Sequence, residues 1–256
     1  MKHILNRASI TAVITVAAAL GLVYSAAARS EECGAANPSL SDAQWIRGLY
    51  RNNVDREPSP AEIDYTSRKI LCEGRSKVVW DIIYSFEARA NLVAAVIYGF
   101  ILQRPASQQE IVTWANKLAY TPANPNPPAF ITAVRTTLLG TEFISKHSDR
   151  ANYVKAAYLT LIFRPPTADE LLSYLTGIKR FDSRTKIVNA LINSRAFRLA
   201  QLNLDLRHHL DNRTPTAFEL DYFDKFLAGG VNVYRIEDLH VGIYTGVDFY
   251  QLQQNK

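Results

Sequence analysis

Four times along this 256-residue chain an arginine is followed six residues later by a glutamate, with a hydroxyl residue midway between them. The copies are Arg56-Glu-Pro-Ser59-Pro-Ala-Glu62, Arg104-Pro-Ala-Ser107-Gln-Gln-Glu110, Arg164-Pro-Pro-Thr167-Ala-Asp-Glu170 and Arg213-Thr-Pro-Thr216-Ala-Phe-Glu219. The arginines lie 48, 60 and 49 residues apart, a spacing typical of tandem structural repeats. Ser or Thr followed three residues on by Glu is a capping box. The hydroxyl accepts a free N–H of the first helical turn, and the carboxylate reaches back to the N–H of the cap. A helix is therefore expected to start at the same point of every copy.

Apolar residues at spacings of three and four precede each anchor: Trp45, Ile46, Leu49 and Tyr50, then Leu92, Val93, Val96, Ile97 and Phe100, then Val154, Ala157, Tyr158 and Leu161. Tyr50, Tyr98 and Tyr158 each stand six residues before their arginine, whereas the fourth copy has Arg207 there, followed by His208 and His209. After each cap, Ile63, Ile111, Leu171 and Leu220 fall in register, as do Ile70, Leu118, Ile178 and Leu227, with an aromatic between them (Tyr65, Trp114, Tyr174, Tyr222-Phe223). That predicts one buried stripe on a second helix, stopped near Gly74, Gly177 and Gly229-Gly230. A third apolar segment (Val79, Trp80, Ile83 and their counterparts) is expected to end at Ser85-Phe-Glu87-Ala88, Gly140-Thr-Glu142-Phe143, Ser194-Arg-Ala196-Phe197 and Gly246-Val-Asp248-Phe249. No alternating run of useful length occurs. The fold expected is all-α, with four repeats of roughly 50 residues and about three helices each, packed as one array. The repeats occupy 40–90, 91–147, 148–200 and 201–256, after a leader over 1–28 and an N-terminal arm over 29–39.

The order Tyr, then Arg-x-Pro-Ser/Thr-x-x-Glu, then an aromatic, then Ser-x-Glu-Phe resembles a bacterial domain of unknown function. That domain recurs in exported proteins and is similar to the phycobilisome linker domain. The copy nearest its pattern is Trp45-Ile-Arg-Gly-Leu49-Tyr50 through Arg56-Glu-Pro58, with Val54-Asp55-Arg56 where that domain usually has a Leu-Gly-Arg turn. The resemblance covers about residues 40–250 in four copies and implies an all-α scaffold with a binding or assembly role. It brings no established reaction. Arg207 and Asp211 depart from the pattern in the fourth copy, as suits a terminal unit with a polar outer face.

Lys2, His3 and Arg7, the apolar run Ile10–Tyr24 and the small residues Ser25-Ala26-Ala27-Ala28 read as a secretory signal cleaved after Ala28. The rival reading is a retained anchor, since the run has about the length of a short span. Cleavage removes Lys2 and Arg7 and lowers the formal charge from +5 to +3, too little to argue for nucleic acid as a partner. Export places the protein in the periplasm or outside the cell, with membrane contact only through the leader. The two cysteines, Cys33 and Cys72, are a disulfide candidate in such an oxidising compartment, and two unpaired thiols are the alternative.

Chemistry is harder to place. Glu62, Glu110, Glu170 and Glu219 could pass for acid–base carboxylates, but capping explains their spacing. Arg56, Arg104, Arg164 and Arg213 stand beside helix N-termini, which attract anions; a forked bond to a carboxylate or carbonyl that locks the turn is the expected role. His208 and His209 with Asp205 and Asp211 form the one plausible metal cluster, yet adjacent histidines diverge on a helix, so no metal and no cofactor is expected. The expectation is a non-catalytic exported scaffold that binds a protein or an envelope polymer. The alternative is a small all-α hydrolase of cell-wall glycans. The second repeat is longer than the others by about eleven residues, supplied by Tyr120-Thr-Pro122-Ala-Asn-Pro125-Asn-Pro127-Pro128. Its prolines favour extended polyproline geometry, and Tyr120, Pro122, Pro125, Pro127 and Pro128 are the expected partner contacts.

Overall fold

The computed structural model describes residues 40–176, 184–209, 214–228 and 236–254. The leader, the arm, Cys33, Gly177, Asp211, Arg213 and Gly229-Gly230 lie outside the described residues, as do the side chains of Arg207, His208 and Asp248. The fold is all-α. Among the described residues there is no strand, only an isolated bridge between Thr121 and Asn124.

The chain folds as two compact units, each drawn from separated stretches. The first contains α1 (Leu40–Asn53), α2 (Pro60–Ile83), α3 (Phe86–Leu92) and most of a π-helix, π1 (Val93–Ile101). It also contains α4 (Gln108–Leu118), the end of α12 (Ile236–Thr245) and α13 (Val247–Gln254). Helix α1 packs on α2 and α13, and α3 packs on α4. The buried Trp45 Nε1–H donates to the Tyr244 carbonyl at 2.9 Å, tying α1 to the end of α12 across 199 residues. Gly48 makes that packing possible. A Cβ there would come within 2.4 Å of Cδ of the buried Gln253. Arg89, 2% exposed, lies with its guanidinium 4.0 Å from the centre of the Tyr84 ring, which stacks on Trp80 at 4.3 Å. A buried cation is tolerable where an aromatic face replaces part of its hydration.

The second unit contains α5 (Phe130–Leu138), α6 (Thr141–Lys146), α7 (Arg150–Leu161), α8 (Ala168–Thr176), α9 (Arg184–Ile192), α10 (Arg195–His209), α11 (Ala217–Ala228) and the start of α12. Its core is built on Tyr153, Val154, Ala157 and Leu161 of α7 with Val188 and Leu191 of α9. The Tyr153 ring meets Phe143 edge-on at 5.7 Å, and its hydroxyl donates to the Leu138 carbonyl, which satisfies the polar tip of a buried ring.

Several sequence expectations need correction. A helix does close at the Ser-x-Glu-Phe segment, at Ile83, Leu138 and Ile192 in the first three copies, but the segment also begins a further helix. Ser85 is the N-cap of α3 and accepts from Ala88 N–H, Ser194 Oγ accepts from Phe197 N–H at the start of α10, and Gly140 stands at the N-cap of α6. The second and third segments of the first copy run together as α2, broken only at Gly74 (φ +81°, ψ 163°), a conformation open to glycine and costly for other residues. The aromatics of the second helix are not uniformly buried: Tyr65 and Tyr222 are exposed, Trp114, Tyr174 and Phe223 are half-buried, and α8 buries none of its residues. The Pro-rich segment is no polyproline stretch. Thr121 and Asn124 exchange backbone hydrogen bonds in a tight turn, because Asn124 Nδ2 also donates to the carbonyls of Lys117 and Ala119 and pulls the chain back onto the end of α4.

One regularity was not legible. Asp55, Gln103 and Phe163, each immediately before an anchor arginine, have φ of +57°, +50° and +59°. The turn reverses the chain through a left-handed residue, the place that glycine takes in a Leu-Gly-Arg turn.

Candidate functional site

The anchor turns concentrate the charged side chains, and the first is the most elaborate. Arg56 sits between the end of α1, the cap of α2 and the first turn of α3. Its Nε–H and Nη2–H donate to Oε1 and Oε2 of Glu87 at 2.7 and 2.8 Å. Its Nη1–H and Nη2–H donate to Oε2 and Oε1 of Glu62 at 2.9 and 2.7 Å, and Nη1 also donates to the Glu57 carbonyl. All five guanidinium N–H groups are thereby used, in the forked geometry that suits arginine and would not suit lysine. The guanidinium also lies 5.2 Å from the centre of the Tyr50 ring.

Glu62 joins this network to the helix start. Its Oε2 accepts from Ser59 N–H at 2.7 Å, while Ser59 Oγ accepts from Glu62 N–H at 3.2 Å. The hydrogen bonds from Arg56, with those from Ser59, outweigh partial burial and bring the Glu62 carboxyl down to about 2. Burial pushes the Tyr50 hydroxyl up to about 12, with Glu62 adding to the shift. Arg56 is held further above its ordinary range by the same two carboxylates.

Bonds of the same kind recur in the other copies. Arg104 forks onto Glu142, Nε to Oε1 at 2.7 Å and Nη2 to Oε2 at 2.8 Å. Ser107 and Glu110 form a reciprocal capping box of their own. Arg164 forks onto Glu170 at 2.6 and 2.7 Å and donates to the Pro165 carbonyl. Where the first two copies have Glu87 and Glu142, the third has Ala196, so the second carboxylate is missing by sequence. Glu170 exchanges bonds with Thr167, and Arg164 brings its carboxyl down to about 2. Thr216 and Glu219 make the same reciprocal bonds at 2.8 and 3.2 Å.

Beside the first anchor lies a cleft of about 280 Å³, walled by the end of α1 (Tyr50, Val54), both arms of α2 and the start of α3 (Ser85, Glu87). The first arm of α2 contributes Glu62, Tyr65, Thr66 and Lys69; the second contributes Val78, Asp81 and Ile82. Lys69 meets Asp81 at 2.6 Å across the bend at Gly74, and Lys77 pairs with the same carboxylate. Glu87, Glu142 and the Lys69–Asp81 pair were missed as site residues. The acid of the Ser-x-Glu-Phe motif was a visible recurrence, but its meeting with an arginine 31 or 38 residues earlier is tertiary.

In the proline-rich turn, Tyr120 N–H donates to the Tyr84 carbonyl at 2.9 Å, and Lys77 lies over the Tyr120 ring at 5.3 Å. Tyr120, Pro122, Pro125 and Pro128 are exposed, and Pro127 is buried. Cys72 is exposed on α2. Asp205 and His209 stand one turn apart on α10, both buried. No helix among the described residues is long and apolar enough to cross a membrane. Compared with protein-family models, with curated proteins and with solved structures, the chain matches none of them.

Proposed function

We propose that this chain is an exported, non-catalytic helical-repeat scaffold that holds a protein or an envelope polymer. The observation that carries the reading is the state of the paired acids in the first anchor. A glycosidase needs one carboxyl that stays protonated near neutral pH to act as general acid. Of the three acids that line the cleft, Glu62 and Glu87 are both bonded to Arg56 and Asp81 is paired with Lys69 and Lys77, and Glu62 is held at about 2. Such a carboxylate has no proton to give at neutral pH, which argues against the glycan hydrolase.

The rest of the reading belongs to the same proposal. The leader is removed after Ala28, Cys33 and Cys72 are joined, and the four copies form one array of the kind suggested by the resemblance to the exported domain of unknown function. Arrays of this kind present extended surfaces for binding. Tyr120, Pro122, Pro125 and Pro128 are the proposed contacts, since a turn fixed at Asn124 and Tyr84 has little ordering left to lose on binding. The buried Pro127 is no longer among them.

The test combines two measurements on the exported chain. Incubated with purified envelope, it should co-sediment saturably; incubated with cell-wall glycan, it should release no reducing ends. Release of reducing ends that disappears in Glu62→Gln would establish the hydrolase instead, and failure to sediment at any envelope concentration would remove the scaffold reading.

A further inference from the structure

The cleft beside Arg56 has a composition that the anchor turn does not require. Counted from the anchor arginine, Tyr65 corresponds to Thr113, Ser173 and Tyr222; counted back from Ser85, Gly140, Ser194 and Gly246, Asp81 corresponds to Thr136, Ala190 and Gly242. By sequence the Lys69–Asp81 pair therefore belongs to the first copy alone, although the second and third copies form the same turn. The walls are polar and their charges are all paired. Arg56 bonds Glu62 and Glu87, and Lys69 meets Asp81, each at 2.9 Å or closer, while Lys77, outside the lining, holds the same Asp81 carboxylate.

That pairing selects a class of ligand. An anion or a cation would have to displace a partner from one of these pairs and leave the displaced charge exposed to the loss of its bonds. A neutral polyhydroxylated ligand would not. It can donate to lone pairs the carboxylates still have free, and it can accept from the hydroxyl of Ser85. Hydrogen bonds to ionised groups are the stronger kind, so a paired wall still binds hydroxyls well. Tyr65, 37% exposed in the same wall, adds an aromatic surface against which the C–H face of a sugar ring can pack. A volume of about 280 Å³ is at the small end for ligand sites and suits one ring rather than a length of polymer.

We propose that this cleft binds a single sugar residue of a neutral glycan. The proposal rests on the scaffold reading and narrows its partner to a carbohydrate. The experiment is calorimetric titration of the exported chain with N-acetylglucosamine tetramer and with cellotetraose, alongside Tyr65→Ala and Tyr65→Phe. Circular dichroism melts establish that both variants are folded. The expected result is saturable binding of at least one tetramer, weakened about tenfold in Tyr65→Ala and retained in Tyr65→Phe, as loss of one aromatic contact implies. Saturation by neither tetramer, or binding by Tyr65→Ala equal to wild type, overturns the proposal. Envelope co-sedimentation separates the two readings: if wild type and Tyr65→Ala pellet equally, the glycan cleft fails while the scaffold stands, and if wild type does not pellet, the scaffold fails.

Discussion

Replacing Arg56 by Ala should destabilise the protein far more than replacing Arg164 by Ala, although the two arginines hold the same place in their repeats. Arg56 bridges two carboxylates and its side chain is 29% exposed; Arg164 bridges one and is 43% exposed. Removing Arg56 leaves Glu62 and Glu87 facing each other, both about one-third exposed and both negative. Breaking a buried ion pair costs about 3–5 kcal/mol. With partial solvent access the expectation for Arg56→Ala falls to about 2–3 kcal/mol, and for the open Arg164 pair to about 0.5–1 kcal/mol. The depression of Glu62 from 4.5 to about 2 gives an upper bound of the same order, about 3 kcal/mol before discounting for solvent. For a chain of this size each kcal/mol moves Tm by about 2–4 °C, so the two variants should melt several degrees apart. The sign of the pH effect follows from depressed carboxylates: their contribution is complete above the unfolded value near 4.5 and is lost as pH falls toward 2. Wild type should therefore lose stability over that window, and Arg56→Ala should lose less. Circular dichroism melts at pH 7 and pH 3 give all the quantities needed. Equal losses in the two variants at pH 7, or an unchanged acid slope in Arg56→Ala, would refute the reasoning.

Gln103→Gly should stabilise by about 0.5–1 kcal/mol, the relief of a left-handed residue less the added freedom of glycine in the unfolded chain, because the exposed Gln103 gives up little packing; urea unfolding at an unchanged slope checks it. Gly48→Ala should destabilise by about 1–2 kcal/mol despite the better helix propensity of alanine, since the new methyl must displace the buried Gln253 side chain; a melt at or above the wild-type Tm would contradict it. Reduction of the exported chain should cost about 3–4 kcal/mol if Cys33 and Cys72 are joined, and two free thiols by non-reducing mass mapping would exclude the bridge.

How far these residues could be read in advance depends on the distance between partners along the chain. Ser59 and Glu62, or Thr167 and Glu170, exchange bonds over three residues, so both partners and the reason for their spacing sit in one short motif. Helix as the fold class was legible for a similar reason, because the apolar period repeats within each segment. The helix starts at Ser85 and Ser194 were not. Ser85 and Ser194 follow apolar helices and could close them as readily as open the next; what decides is the hydroxyl accepting from Ala88 or Phe197, three residues downstream. Likewise the prolines near Tyr120 favour extension locally, and the Asn124 carboxamide overrides them by bonding back to Lys117 and Ala119.

The left-handed residues before the arginines explain why the anchor needs so many bonds. A turn through Asp55, Gln103 or Phe163 costs about 1–2 kcal/mol where a glycine would cost less. Such a turn persists only if its surroundings hold it. The arginine that follows is the nearest residue able to do so, since one guanidinium can reach the helix cap ahead and, where the sequence provides it, the carboxylate at the start of a later helix. In the third copy Ala196 removes that second carboxylate, and compensation comes from packing: Phe163 itself turns toward Phe100, with ring centres 6.3 Å apart. Polar anchoring and apolar packing thus stand in for one another at the same turn. In the first copy the anchoring is polar, with two carboxylates on Arg56 beside the cleft.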